Sequence, residues 1–154
     1  MVILRLFVRN WWCIVSYSII TDLKECQDWV ANKYNICGSE LTACIGLQKG
    51  NEIVAVCGYN NFNGVSCHAH YYHDTGYAPS RFLWFIHYYP FIQCGLNMMI
   101  AITHNPKMVK LAEKLGYNFG GYLVNAHPEG DLAIGTLTKE NCRFISARYA
   151  RGIS

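Results

Sequence analysis

Charge is scarce in this sequence and nowhere gathered. Only 15% of the 154 residues are Asp, Glu, Lys or Arg, and the net charge is +3. No run of lysines and arginines exists to neutralise a row of phosphates, so no nucleic-acid partner is expected. Arg143, Arg148 and Arg151 make the C-terminal end mildly basic, a pattern that reads as a solvated tail. No CxxC pair occurs among the eight cysteines, which removes the usual thiolate zinc spacing. No apolar stretch reaches the roughly 18 residues that a membrane helix needs. Arg5, Arg9 and Asn10 interrupt MVILRLFVRNWWCIVSYSII, and WWCIVSYSII is too short to span, so no membrane association is expected. The segment also lacks the small-residue cleavage site of a secretory signal. Repeats and low-complexity tracts are missing too.

Apolar material, by contrast, is ample. Hydrophobic residues make up 52% of the chain, enough for the core of one domain spanning 1–154. Residues 1–16 are expected as an additional N-terminal strand segment. Several cysteines sit inside apolar runs such as CIVSYSII and VAVCGY, where they pack as small hydrophobes. Reduced thiols of that kind predict a cytoplasmic protein.

Periodicity and turn chemistry divide the chain. Residues 12–20 read as a strand. Asp22, with Glu25 three residues on, caps a helix reaching about Tyr34, with Leu23, Cys26 and Val30 on its apolar stripe. LTACIGLQ and IVAVCGYNNF form a hairpin around KGNE, and VSCHAHYY follows the turn NNFNG. A helix is expected over 79–95, with Pro79 near its first turn, Gly95 as its stop, and Pro90 kinking or splitting it. NMMIAITH is the next strand. Asn105 caps a further helix that has Pro106 at its first position and stops at Gly116. Met108, Leu111, Ala112 and Leu115 are expected to face the core from it. YNFGGYLV and DLAIGTLT close the chain as a hairpin around AHPEG. The order β-α-β-β-β-α-β-α-β-β predicts an α/β sheet covered by helices. It departs from the strict alternation of a doubly wound nucleotide fold.

Two candidate chemistries meet in HAHYYHD. His68 and His70 lie two apart on a strand and point to one face. With His73 they resemble the HxHxDH pattern of zinc hydrolases, but Tyr72 stands where the acidic residue belongs and no later ligands follow, so no metal is expected. Trp84, Phe85, Tyr88, Tyr89 and Phe91 sit at helical spacing without interleaved basic residues. They read as core or interface rather than a base-stacking platform. A homodimer fits that aromatic load.

The segment NPKMVKLAEKLGY resembles the late helix of the GNAT superfamily of N-acetyltransferases, and FGGYLVNAHPEGDLAIGTL resembles its terminal hairpin. SRFLWFIHYYPFIQCGLN is similar to the central helix of a bacteriophage and prophage subgroup. The resemblance is strongest from Ser80 to Thr138. It implies a mixed, mostly antiparallel central sheet with splayed parallel strands, flanked by helices. It further implies acetyl-CoA as cosubstrate and direct transfer of the acetyl group to an amine, on a small molecule or a protein. The splaying strands would be VSCHAHYY and NMMIAIT, with the pantetheine entering between them as an added strand would. The pyrophosphate would rest on HDTGYAPSRF, at a helix N-terminus. On this resemblance Tyr71, Tyr72, Gly76, Ser80, Arg81 and Asn105 bind the cofactor, and His68, then His70, serves as base. Two positions depart from the pattern. The phosphate loop has a single glycine, Gly76, and Pro79 removes a donor. Ala112 stands where many members carry the tyrosine that protonates the departing thiolate, leaving Tyr72 or Tyr117 as substitutes. A GNAT-shaped binding or virion-associated protein without turnover is the second reading these departures allow.

Overall fold

The computed structural model describes residues 16–74 and 78–152. The expected N-terminal strand segment lies outside them except for Ser16, and so does Gly76. Strand β1 is Tyr17–Ile20, followed by helix α1, Leu23–Tyr34. The Asp22 carboxylate accepts the Glu25 amide at 2.8 Å, and Asn35 ends the helix in the left-handed region. Strands β2 (Ala43–Lys49), β3 (Glu52–Asn60) and β4 (Ser66–His73) form an antiparallel meander. Helix α2 is Ser80–Tyr88, β5 is Met98–Thr103, and α3 is Pro106–Leu115. The hairpin β6 (Asn118–His127) and β7 (Gly130–Thr138) follows, and α4 (Ala147–Arg151) ends the described chain.

Among the described residues seven strands form one sheet in the order β1-β2-β3-β4-β5-β7-β6. Every neighbouring pair is antiparallel except β4 and β5. Strand alternation gives each face its own core. On one face Tyr59, Cys67, Met99 and Leu137 pack with Phe82, Ile86 and Phe91 from α2 and its continuation, and with Ala112 and Leu115 of α3. On the other, Cys44, Ile53 and Val56 pack with Cys26 and Val30 of α1, and Tyr72 joins them.

The expected effect of Pro90 is visible and has a partner. The α-helix ends at Tyr88 and Tyr89–Gln93 widens into one π turn. Pro90 has no N–H to offer the Ile86 carbonyl four residues back. The fully buried Tyr59 donates its hydroxyl to that carbonyl at 2.7 Å. A proline in the helix and a tyrosine on β3 thus form one satisfied unit.

Two regions depart from the sequence reading. The C-terminal end is docked rather than a solvated tail. Phe144 is buried and stacks on the His87 ring with centroids 4.5 Å apart. The Tyr149 hydroxyl donates to the Ser80 carbonyl at 3.1 Å, and Arg143 Nη2 donates to the Lys114 carbonyl at 2.9 Å. Phe144 and Tyr149, with Arg143 beside them, tie this segment down. Helix α3, in turn, buries none of its residues completely. Its apolar face borders a cleft, so Leu111 is half-buried rather than a core residue.

Tyr59→Phe keeps the ring packing and strands the Ile86 carbonyl in a dry site. Urea unfolding should show a loss of about 1–3 kcal/mol. An unchanged midpoint would mean that the carbonyl is satisfied elsewhere.

Candidate active site

The parallel pairing of β4 and β5 is short. Ser66, Cys67 and His68 pair with Met98, Met99 and Ile100, and the pairing stops there. Beyond it β4 stays with β3 as far as His73, and β5 stays with β7 as far as Thr103. Each strand therefore carries an unpaired edge of backbone donors and acceptors into the space between them. Sheet twist within each flanking pair draws the two edges further apart.

A cleft of about 500 Å³ fills that gap. Ala69, Tyr71, Met99 and Ala101 line it from the strands, Ile86 and His87 from α2, and Met108, Leu111, Ala112 and Leu115 from α3. Small side chains at Ala69, Ala101 and Ala112 keep it open. Tyr34, His70, Tyr72 and Ile102 border it as well, and Tyr72 belongs to the α1 face, so the opening passes through the sheet.

A wedge between two parallel strands, with one helix on either side of it, is a distinctive arrangement. No family model matches the sequence, and no curated protein matches it. Solved structures match the fold. Spermidine N-acetyltransferase SpeG from Vibrio cholerae superposes with a TM-score of 0.65 at 10% identity, covering 86% of this chain and 98% of that one. N-acetyltransferase PseH from Campylobacter jejuni, in complex with acetyl coenzyme A, gives 0.54 at 14% identity, covering 80% of this chain and 99% of that one. Ribosomal-protein-S5-alanine acetyltransferase from Vibrio fischeri gives 0.55 at 17% identity, over 76% of this chain and 69% of that one. The chain has the GNAT fold. The likeness reaches the fold and does not extend to the phage-type subgroup that the central helix resembles.

Within the GNAT fold, four of the eight residues singled out from sequence come together. His70, Tyr71, Tyr72 and Asn105 all line the cleft. Asn105 also caps α3, its side-chain oxygen accepting the Lys107 amide at 2.9 Å. His68 sits at the last paired position and does not line the cleft; the Asn61 side-chain amide reaches its Nδ1 at 3.2 Å. Ser80 and Arg81 are exposed at the start of α2, outside the cleft, and the Arg81 guanidinium lies 5.8 Å from the centre of the Phe85 ring. Ser80 borders a separate recess of about 320 Å³ with Arg143, Ser146, Arg148 and Tyr149. The three histidines of HAHYYHD have different neighbours. The His73 ring packs beside Tyr71, whereas His68 and His70 turn to Asn61 and Asn60.

The environment sets the protonation of these groups. His70 Nε2 lies 3.0 Å from the Asn60 side-chain oxygen, so Nε2 donates and Nδ1 keeps its lone pair. Burial, reinforced by the neighbouring His68, lowers the His70 pKa, and the ring is neutral at neutral pH. Burial pushes the Tyr72 phenol up to about 12 and raises Tyr71 and Tyr117 as well. All three remain protonated and able to donate. The cleft thus combines a neutral imidazole with several phenols.

Sequence reasoning missed Tyr34 and His87. Tyr34, the last residue of α1, donates its hydroxyl to the His73 carbonyl at 2.9 Å across 39 positions of sequence. His87 lies on a helix face that carried no polar signal, yet it is 1% exposed. Its Nδ1 donates to the Leu83 carbonyl at 2.6 Å, and burial pushes its pKa down to about 4.

That burial has a consequence for acid stability. The unfolded chain takes up a proton near the ordinary value of 6.5, and the folded chain only near 4. The neutral ring's contribution is therefore fully present above pH 6.5 and is lost as pH falls toward 4, amounting to about 3 kcal/mol at full extent. His87→Gln should flatten this part of the stability–pH profile, measured by urea unfolding between pH 7 and pH 4 (about three pH units). An unaltered slope would assign the acid sensitivity to other groups.

Proposed function

We propose that this protein is an acetyl-CoA-dependent N-acyltransferase that moves an acetyl group directly from the thioester to an amine. The short β4–β5 pairing carries this reading. A pantetheine arm is an extended chain of amides, and the two unpaired strand edges offer it the hydrogen bonds a neighbouring strand would. The apolar side chains of α3 suit its methylene groups.

The residues divide by role. The β5-facing backbone edge between Ala69 and Tyr72, left unpaired beyond His68, binds the arm and polarises the thioester carbonyl. His70 takes the proton from the amine, directly or through water, as the nitrogen attacks the carbonyl carbon. The carbon–sulfur bond then breaks and CoA leaves as a thiolate, which takes a proton from Tyr117. We favour Tyr117 because it lines the cleft and its amide donates to the Ala112 carbonyl at 3.0 Å, next to the position where the family's usual tyrosine is replaced. His68 stays the alternative base. Ser80 and Arg81 serve the phosphates at the start of α2, together with Gly76. Arg143 and Arg148 add positive charge to the recess beside Ser80.

The acceptor lies on the α1 face, where Tyr34, His70 and Tyr72 border the opening. Polyamines and peptide amines are the first probes, since structural neighbours are named for spermidine and for a ribosomal-protein alanine. A second copy of the chain is a fitting partner: Tyr122, Leu123 and Val124 are exposed on the edge strand β6. Among the described residues no helix is long and apolar enough to cross a membrane. The seven free thiols among them suit the reducing cytoplasm, where we place the reaction. Ala112 favours a second reading, a protein of the same shape that binds CoA without turnover.

Acetyl-CoA at about a hundredfold its dissociation constant should stabilise the protein by about 2.7 kcal/mol, read as a rise in melting temperature. No rise at millimolar ligand would sink the proposal. A rise with no acetyl transfer to any amine would select the second reading. His70→Gln should lower kcat by about 10²–10⁴ while leaving acetyl-CoA affinity unchanged. An unaffected rate would remove His70 as the base.

A further inference from the structure

At the end of β5, three potential ligands come from two separate parts of the chain. His104 follows the last residue of β5 and precedes the cap of α3. His127 is the last residue of β6, and Glu129 stands in the two-residue turn before β7. One ligand atom from each of the three lies within 4.8 Å of the others. His104 Nε2 and a Glu129 carboxylate oxygen are 2.9 Å apart. The two imidazole rings stack with centroids 3.7 Å apart and planes 6° from parallel.

We propose that His104, His127 and Glu129 form a binding site for a divalent ion of the zinc class at the rim of the cleft. Two imidazoles and one carboxylate are a recurrent zinc set, which leaves a further position for water or a substrate atom. Imidazole donors select such ions over magnesium, which prefers oxygen ligands. A ring nitrogen's lone pair lies in the plane of its ring, so one ion bound by both imidazoles requires the exposed His104 ring to turn out of this stack. The ion would replace the proton now held between His104 and Glu129. At His127 the Glu129 amide meets Nδ1 at 3.1 Å, a bond that ligation through that nitrogen would displace.

The position has a consequence for the cleft. Thr103, His104 and Asn105 all line it, so an ion here would clip the β6–β7 turn to the mouth of the opening. Pro128 and the Asn125 amide, which donates to the Asp131 carboxylate at 2.8 Å, already stiffen the hairpin end. The Glu129 side chain is 73% exposed, which leaves an open path for the ion. This site does not depend on the acyl-transfer reading.

Calorimetric titration of chelator-treated full-length protein with ZnCl2, and separately with MgCl2, tests the proposal. One Zn²⁺ per chain is expected, with no heat from Mg²⁺, and a higher melting temperature with zinc. His127→Ala and Glu129→Gln should each weaken zinc binding by about tenfold or more. Glu129→Gln is an exposed turn substitution that keeps the fold, verified by its melting curve in chelator. CoCl2 supplies a second readout, because thiolate ligation adds an intense near-ultraviolet band that nitrogen and oxygen ligands do not. Failure to bind zinc would overturn the proposal. So would binding that survives His104→Ala combined with His127→Ala, or a thiolate band pointing to the exposed Cys37 or Cys94.

Discussion

The molecule turns on a parallel strand pair that is allowed to form only three rungs. Parallel strands normally need their backbone groups satisfied along the whole length, because an unpaired amide or carbonyl away from water is costly. Here β4 and β5 are held at His68 and Ile100 and released beyond. Each remains anchored on its other side, β4 by β3 and β5 by β7. The sheet is therefore continuous across seven strands while keeping one internal edge open. That edge is the source of the cleft and of whatever specificity its backbone confers.

Keeping such a gap open requires that the elements around it do not collapse into it. Helix α2 is fixed by groups that do not themselves line the opening: Pro90 at its end, Tyr59 from β3, and Phe144 stacked on His87 from the C-terminal segment. Helix α3 is fixed by its ends instead. Asn105 caps one, and Gly116 closes the other in the left-handed region, with φ at 101°. Its middle, where Met108, Leu111 and Ala112 face the cleft, has no fully buried residue. One helix is held by its core contacts and the other by its caps. The second packs Ala112 and Leu115 against the core and leaves Met108 and Leu111 to line the cleft.

This difference explains how much could be read from sequence. Local chemistry was legible: the Asp22 and Asn105 caps, the glycine stop at Gly116, the break at Pro90 and the hairpin around Gly50 all depend on residues a few positions apart. An α/β sheet covered by helices followed from the order of those elements, and its mixed, splayed form from the resemblance to the GNAT superfamily. Long-range choices were not legible. Met108, Leu111, Ala112 and Leu115 have the spacing of a core-facing stripe, and periodicity cannot distinguish a core from the wall of a cleft. The arginines near the C-terminus suggested solvent, whereas Phe144 and Tyr149 tie that segment to α2. His68 and His70 share one strand face, but strand pairing ends between them. That single rung separates a histidine held at the junction from one beside the opening.

The same rung also divides the chemistry of the cleft. On the α2 and α3 side the aliphatic residues Ala69, Ile86, Met99, Ala101, Met108 and Leu111 line it, which would suit an uncharged extended arm. On the α1 side Tyr34, His70 and Tyr72 gather hydrogen-bonding groups at the edge of an apolar cluster. The acyl transfer proposed above, from a buried thioester to a polar nucleophile, would use this asymmetry. The donor side must be dry, so that hydrolysis does not compete, and the acceptor side must be able to take up a proton. In the proposed transfer, burial of His70 would leave its imidazole neutral, with a lone pair ready to accept a proton, while making it a weaker base than a solvated histidine.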